Sequence, residues 1–227
     1  MEPSAPPAPA APFGPPPWRT LLCAAVLALA ALAAYANTFR VPFVFDDLTS
    51  IPDNPTLRSL AASWSPPRGN GGVSVAGRPL LNFSLAVNHA LSGLDVGSYH
   101  ALNLAIHILA ALTLFGLLRR TFLRPALSAR FGERAWPLAL AIALLWTLHP
   151  LQTEAVTYVI QRAESLMALF FLLTMYGFVR SLDSARPGAW LAGSVLACLD
   201  GVATKARAAL APVASLLYDR AFRSGDF

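Results

Sequence analysis

The chain has 227 residues, 56% of them hydrophobic and only 13% charged, which excludes an ordinary soluble domain. Runs of roughly 15–25 apolar residues account for the excess, so the fold expected is all-α, a multi-pass integral membrane helical bundle. The net charge of +5 does not imply nucleic acid, because the basic residues lie between the apolar runs and form no dense patch.

Residues 1–17 form a Pro/Ala-rich tail with little to bury, expected to be disordered or polyproline-like, and residues 18–227 form the membrane domain. Trp18 and Arg19 look like an interfacial anchor, and Thr20 to about Ala36 is the first span. More spans follow it and only Arg19 precedes it as a basic residue, so it reads as a retained helix rather than a cleaved signal peptide. Asn37 to Ser98 is a long polar excursion. It holds Val41-Pro42-Phe43-Val44-Phe45-Asp46-Asp47, a Pro/Gly-rich middle from Trp64 to Gly72, and Gly77-Arg78-Pro79-Leu80. Pro79 suits a first helical turn, Leu80–Leu91 has an apolar face and Gly93 suits its end, so a helix lying in the membrane surface is expected.

Tyr99–Leu118 is the second span, and Arg119–Arg134 is a basic loop with one acid. Trp136–Leu148 is apolar but only roughly 20 Å long against a hydrocarbon core of about 30 Å. Its His149 end is therefore expected below the membrane surface, in a protein-lined cavity. Ala155–Val179 is the fourth span, Ala189–Thr204 the fifth and Ala208–Tyr218 a short sixth, which makes about five or six. Cys23 and Cys198 both sit inside apolar runs, which argues against a disulfide framework.

With the N-terminus cytoplasmic, ten of the seventeen basic residues fall on the cytoplasmic side in short flanking segments, as the positive-inside rule expects. The opposite side then carries Asp46, Asp47, His149, Glu154, Arg162, Glu164 and Lys205. Each admits two readings. Asp46 and Asp47 are either capping acids after Pro42 or a general base and the neighbour that tunes it. His149-Pro150 ends one helix and Thr153 suits the cap of the next; His149 and Glu154 either stop there or also touch a ligand. Arg162 either pairs with Glu164, Glu154 or a first-loop Asp, or grips a phosphate with help from Lys205, Arg207 and Arg78. His100, Asn103 and His107 share one helix face and either line the cavity or bond a neighbouring helix. Two histidines seven residues apart do not make a metal site, so none is assigned. Asp200, a lone acid in the fifth span, is expected to pair with Lys205 or a polar group of another helix.

Together these motifs resemble the N-terminal part of the transmembrane-and-tetratricopeptide-repeat protein O-mannosyltransferases and their bacterial relatives, within the membrane glycosyltransferases of the C-type fold. The resemblance runs along most of Val41–Phe222. It rests on Phe43-Val44-Phe45-Asp46-Asp47, Gly77-Arg78-Pro79-Leu80, Gly97-Ser98-Tyr99-His100-Ala101-Leu102-Asn103 with His107, His149-Pro150 with Thr153-Glu154-Ala155-Val156, Arg162-Ala163-Glu164, and Thr204-Lys205 with Tyr218-Asp219.

The resemblance implies inverting transfer of a mannose-like sugar from a polyprenyl-phosphate carrier to a hydroxyl acceptor, a protein Ser/Thr or a glycan, at the non-cytoplasmic face. It implies Asp46 as the base with Asp47 as its partner, and Arg162, Lys205 and Arg78 as charges holding the carrier phosphate. His100, His149 and Glu154 would shape the cavity, and no metal or other cofactor is required. Where the family carries an acid after Ser/Thr-Lys this chain has Ala206, which removes a contact to the phosphate or sugar region. Such proteins continue for several more helices and a repeat domain, which implies a fragment, a truncated gene, or a subunit completed by a second chain. The alternative is a degenerate, non-catalytic membrane module that binds a lipid phosphate or a partner protein. The Ala/Arg/Pro-rich composition points to a bacterial inner membrane, with the endoplasmic-reticulum membrane as the alternative.

Overall fold

The computed structural model describes residues 17–67 and 74–224, so the expected tail lies outside the described residues except for Pro17, which opens the first helix. In chain order the α-helices are α1 (Pro17–Tyr35), α2 (Asp46–Ser50), α3 (Pro79–Ser92), α4 (Val96–Phe122), α5 (Pro125–Phe131), α6 (Ala135–Thr147), α7 (Thr153–Thr157), α8 (Arg162–Ser181), α9 (Pro187–Thr204) and α10 (Ala211–Asp219). Short 3-10 turns link several of them, and no strand occurs among the described residues.

The result is a multi-pass membrane bundle with α4 at its centre, packed against α1, α6 and α8. On α1, Leu27, Ala31 and Tyr35 are buried at a spacing of four, while Leu21, Leu22, Leu29 and Leu32 face outward. That one-sided burial suits a helix whose other face meets lipid tails rather than water. Packing between α8 and α9 relies on small residues. A Cβ at Gly177 would lie 3.1 Å from the Trp190 carbonyl and 3.1 Å from the Ser194 side chain.

Three helices are long and apolar enough to cross a bilayer: Trp18–Tyr35, Val96–Phe122 and Val159–Ser181. A fourth span is formed if Pro125–Thr147 and Pro150–Thr157, bent by 53° at their junction, are taken together. The fifth and sixth expected runs do not reach that measure. Asp200 and three glycines dilute α9, and α10 has only 9 residues.

The bend at His149-Pro150 comes from the proline, which cannot continue the α6 hydrogen-bond ladder. Thr153 does not supply the side-chain cap expected of it. Instead the backbone N–H of Leu151 donates to His149 Nδ1 at 3.2 Å and caps the turn Pro150–Gln152. The long polar excursion folds over one end of the bundle. Its anticipated helix is α3, begun by Pro79 and ended by Gly93 at φ 61°. Leu81, Leu85 and Ala86 of α3 are fully buried, so this helix roofs the core with its apolar face.

Candidate active site

The acid pair sits where the first loop turns into α2, and its two members point in different directions. Asp47 is 1% exposed. Its Oδ1 accepts from the Ile160 backbone N–H at 2.8 Å and its Oδ2 from the Val44 N–H at 3.1 Å. Burial pushes its carboxyl above the usual carboxylate range, and the two backbone donors pull partly the other way. Asp47 therefore ties the first loop to the turn before α8.

Asp46 is exposed. Its Oδ2 accepts from the Ser74 hydroxyl at 2.8 Å, and its backbone N–H donates to the Tyr158 hydroxyl at 3.0 Å. Among the described residues Oδ1 of Asp46 accepts no hydrogen bond. Arg78 reaches the same corner: its Nη1 donates to the Ser74 carbonyl at 2.9 Å. The preceding residue, Phe45, has φ 47° and ψ −118°. A side-chain-bearing residue is strained in that region, and such strain clusters at functional sites. Phe45 is 82% exposed and stands edge-on to Tyr158 with ring centroids 6.5 Å apart.

Two cavities meet beside this corner. One, about 620 Å³, runs along Val44, Phe45, Pro150, Leu151, Glu154 and Tyr158. The other, about 320 Å³, lies between α4, α6 and α8 and is lined by His107, Trp146, Gln152, Gln161, Glu164 and Ser165 among others. Leu151 and Glu154 belong to both walls. Glu154 Oε1 accepts from Gln161 Nε2 at 3.1 Å, and Glu164 forms an ion pair with Lys205.

Four expected positions stand elsewhere. Arg162 is completely buried and spends its guanidinium on the scaffold. Its Nε donates to Asn103 Oδ1 at 2.6 Å, Nη1 to the Ser84 carbonyl at 3.1 Å and Nη2 to the Tyr99 carbonyl at 3.1 Å. A carrier phosphate would have to displace all of these, so the phosphate grip expected of Arg162 is replaced by a clamp between α3, α4 and α8. His100 is likewise internal, its Nε2–H donating to the Val41 carbonyl at 2.9 Å. Asp200 is exposed and does not pair with Lys205, which Glu164 occupies. His149 is exposed and serves its turn.

The polar stripe of α4 resolves into a spine. His100 holds Val41, Asn103 donates to the Val156 and Val159 carbonyls at 3.4 and 3.2 Å, and His107 donates to the Thr147 carbonyl at 3.0 Å. Asn103 and His107 satisfy backbone groups freed where a helix is broken, and His100 one in the first loop, which a membrane interior demands. Sequence reasoning missed Ser74 and Tyr158, the two residues that bond Asp46. Tyr158 lies inside the His149–Glu164 motif and was within reach of it; Ser74 carries no local signal.

Sequence comparison supplies the relatives. Mouse protein O-mannosyl-transferase TMTC1 is 33% identical over 174 residues, covering 73% of this chain. Mouse protein O-mannosyl-transferase TMTC2 is 30% identical over 200 residues, covering 83% of it. This chain is a relative of the protein O-mannosyl-transferases. The relationship extends to insects: Drosophila melanogaster protein O-mannosyl-transferase Tmtc3 is 32% identical over 190 residues and 75% of the chain. The chain spans 17%, 23% and 20% of the lengths of these three O-mannosyl-transferases. No family model and no solved structure matches the chain.

Proposed function

We propose that this chain carries the acid-pair part of an inverting O-mannosyl-transfer site, using a polyprenyl-phosphate-linked sugar and a protein Ser/Thr hydroxyl. The observation that carries this reading is the split of the pair. Asp47 is a buried strut, while Asp46 is exposed and bonded to Tyr158, which with Phe45 lines an open cavity. In the reaction, Asp46 Oδ1 takes the acceptor hydroxyl proton as that oxygen bonds to the anomeric carbon. The bond from that carbon to the carrier oxygen breaks, and its electron pair leaves on the carrier phosphate. Ser74 donates to Oδ2 and fixes the carboxylate with Oδ1 outward. Arg78 supplies positive charge for the leaving phosphate in place of Arg162, while the charge of Lys205 is met by Glu164. The polar wall of Glu154, Gln161 and Glu164 suits an uncharged sugar better than a phosphate, since two of the three are acids.

This reading places the N-terminus in the cytoplasm and the site on the opposite face, in a bacterial inner membrane or the endoplasmic reticulum. The test is transfer from polyprenyl-phosphate mannose to a Ser/Thr peptide by membranes bearing the chain. Asp46→Asn is expected to abolish transfer with insertion unchanged; undiminished transfer would remove Asp46 as the base. Ala206 favours a second reading, a module that binds the lipid phosphate without turnover. Saturable binding of polyprenyl-phosphate mannose with no product in the wild-type chain would decide for it.

A further inference from the structure

The opposite end of the bundle holds a second constellation, independent of the acid pair. Arg119 lies roughly 28 Å along α4 from His100, at 1.5 Å per residue. Its guanidinium sits over the Trp136 ring at 4.5 Å; Arg120 lies over Tyr176 at 5.7 Å and Arg180 over Trp190 at 4.5 Å. Arg120 rests on the Tyr176 ring, and Arg180 follows Tyr176 by one turn of α8. Among the described residues, none of the three has an acidic partner; the nearby Asp183 is taken by Arg124 at 3.0 Å. Among the described residues the Nε atoms of all three, like that of Arg124, are buried donors with no acceptor. Buried donors are nearly always satisfied, so this cluster is built to receive acceptor oxygens.

A groove of about 350 Å³ between α1, α4 and α8 runs past Ala24, Leu109, Leu112, Phe115 and Tyr176 to Arg119, the one arginine of the three on its wall. Its floor depends on Gly116, where a Cβ would meet the Tyr176 ring at 3.0 Å. From Leu109 to Arg119 the groove follows about 15 Å of helix, half of a hydrocarbon core of about 30 Å. It therefore spans one leaflet, apolar at the bilayer middle and cationic at the surface. That pattern matches an acyl chain below and an anionic headgroup above.

We propose that this groove is a binding site for an anionic phospholipid of that leaflet, with one acyl chain between α1, α4 and α8 and its phosphate on Arg119, Arg120 and Arg180. Charge complementarity fixes the occupant. A zwitterionic lipid brings an ammonium group to a cluster with no acid to meet it, whereas phosphatidylglycerol brings only the phosphate.

The test is native mass spectrometry of the purified full chain, equilibrated with equimolar phosphatidylglycerol and phosphatidylcholine. The chain is expected to retain one phosphatidylglycerol with a preference of about tenfold or more. Arg119→Gln/Arg120→Gln/Arg180→Gln is expected to abolish the preference. Arg130→Gln/Arg134→Gln/Arg186→Gln, three exposed arginines of the same end, is expected to keep it. Ala24→Phe, which fills the groove while leaving every charge in place, is expected to lower retention of phosphatidylglycerol. Equal retention of the two lipids overturns the proposal. So does a preference that survives in the first triple variant, that is lost equally in the second, or that is unaffected by Ala24→Phe. Competition by inorganic phosphate at the same concentration assigns the cluster to a free anion and likewise overturns it.

Discussion

The two ends of this bundle solve the same physical problem in opposite ways. At the Asp46 end the helices are broken: α6 bends at Pro150, α7 is one turn long, and the first loop enters from the side. Backbone groups left unpaired there are satisfied by buried side chains, with Asp47 and Asn103 on the turn before α8 and His100 on the first loop. At the Arg119 end three arginines, Arg119, Arg120 and Arg180, rest on aromatic rings, and only Arg124 reaches a carbonyl, that of Val179, among the described residues. The lesson is that irregular backbone at membrane depth has to be held by polar side chains. The polar groups of the first end are thus mostly scaffold, and the exposed Asp46 stands out because it is not.

The sharpest break of that contrast is Asp46→Asn. Loss of a positioned general base lowers the transfer rate by about 10²–10⁴-fold, with unfolding in detergent unchanged because the side chain is exposed. A parallel loss of stability would make Asp46 scaffold like its neighbours.

Arg162 is the opposite case. Arg162→Met leaves Asn103 Oδ1 unpaired in the core and removes the bonds to the Ser84 and Tyr99 carbonyls, which costs about 1–3 kcal/mol. Arg162→Lys rescues little of this, since an ammonium does not reproduce the planar fork. Denaturant unfolding in micelles measures both, and a lysine variant as stable as wild type would refute the clamp.

Asp47→Asn sharpens the division within the pair. An amide brings an NH2 group against the Val44 N–H and leaves that donor unpaired, at about 1–3 kcal/mol. A pH signature accompanies it. The folded pKa of Asp47 is raised, so the folded state holds this proton more firmly than the unfolded one. The resulting stability is present below the ordinary carboxylate pKa and is lost as pH rises through the raised value. Unfolding midpoints should fall in the wild type as pH rises above the ordinary carboxylate pKa. They should stay flatter in Asp47→Asn, and equal slopes would show that another group sets the dependence.

The smallest effect is at Phe45. Glycine adopts φ 47°, ψ −118° without a Cβ penalty, and little packing is lost from a ring that is 82% exposed. Phe45→Gly should raise stability by about 1 kcal/mol while slowing transfer. A destabilised variant would mean that contact with Tyr158 outweighs the strain.

Much of this molecule was legible in the chain itself. The apolar runs gave the all-α bundle, and Pro79 and Gly93 bracketed α3 correctly. The order of motifs from Phe43 to Tyr218 pointed to the mannosyltransferase relatives. The span number was less legible: three helices pass by length and hydropathy and the bent pair makes a fourth, while α9, diluted by Asp200 and glycines, and the short α10 fall below that measure. The roles of individual polar residues were less legible still. Arg162 read as a phosphate ligand because an arginine at a helix head has the right chemistry. Whether its guanidinium faces a cavity or the Asn103 amide is decided by residues 59 positions away.

What the sequence determined by itself are the properties that depend on near neighbours: hydrophobic length, helix punctuation by proline and glycine, and the placing of two acids after an apolar span. Tertiary structure alone decided which acid is buried, that Ser74 and Tyr158 meet Asp46, and that His100, Asn103 and His107 brace broken helices. Hydrogen-bond partners in a low-dielectric interior are assigned by three-dimensional proximity, and contacts spanning tens to more than a hundred residues leave no periodicity in the chain.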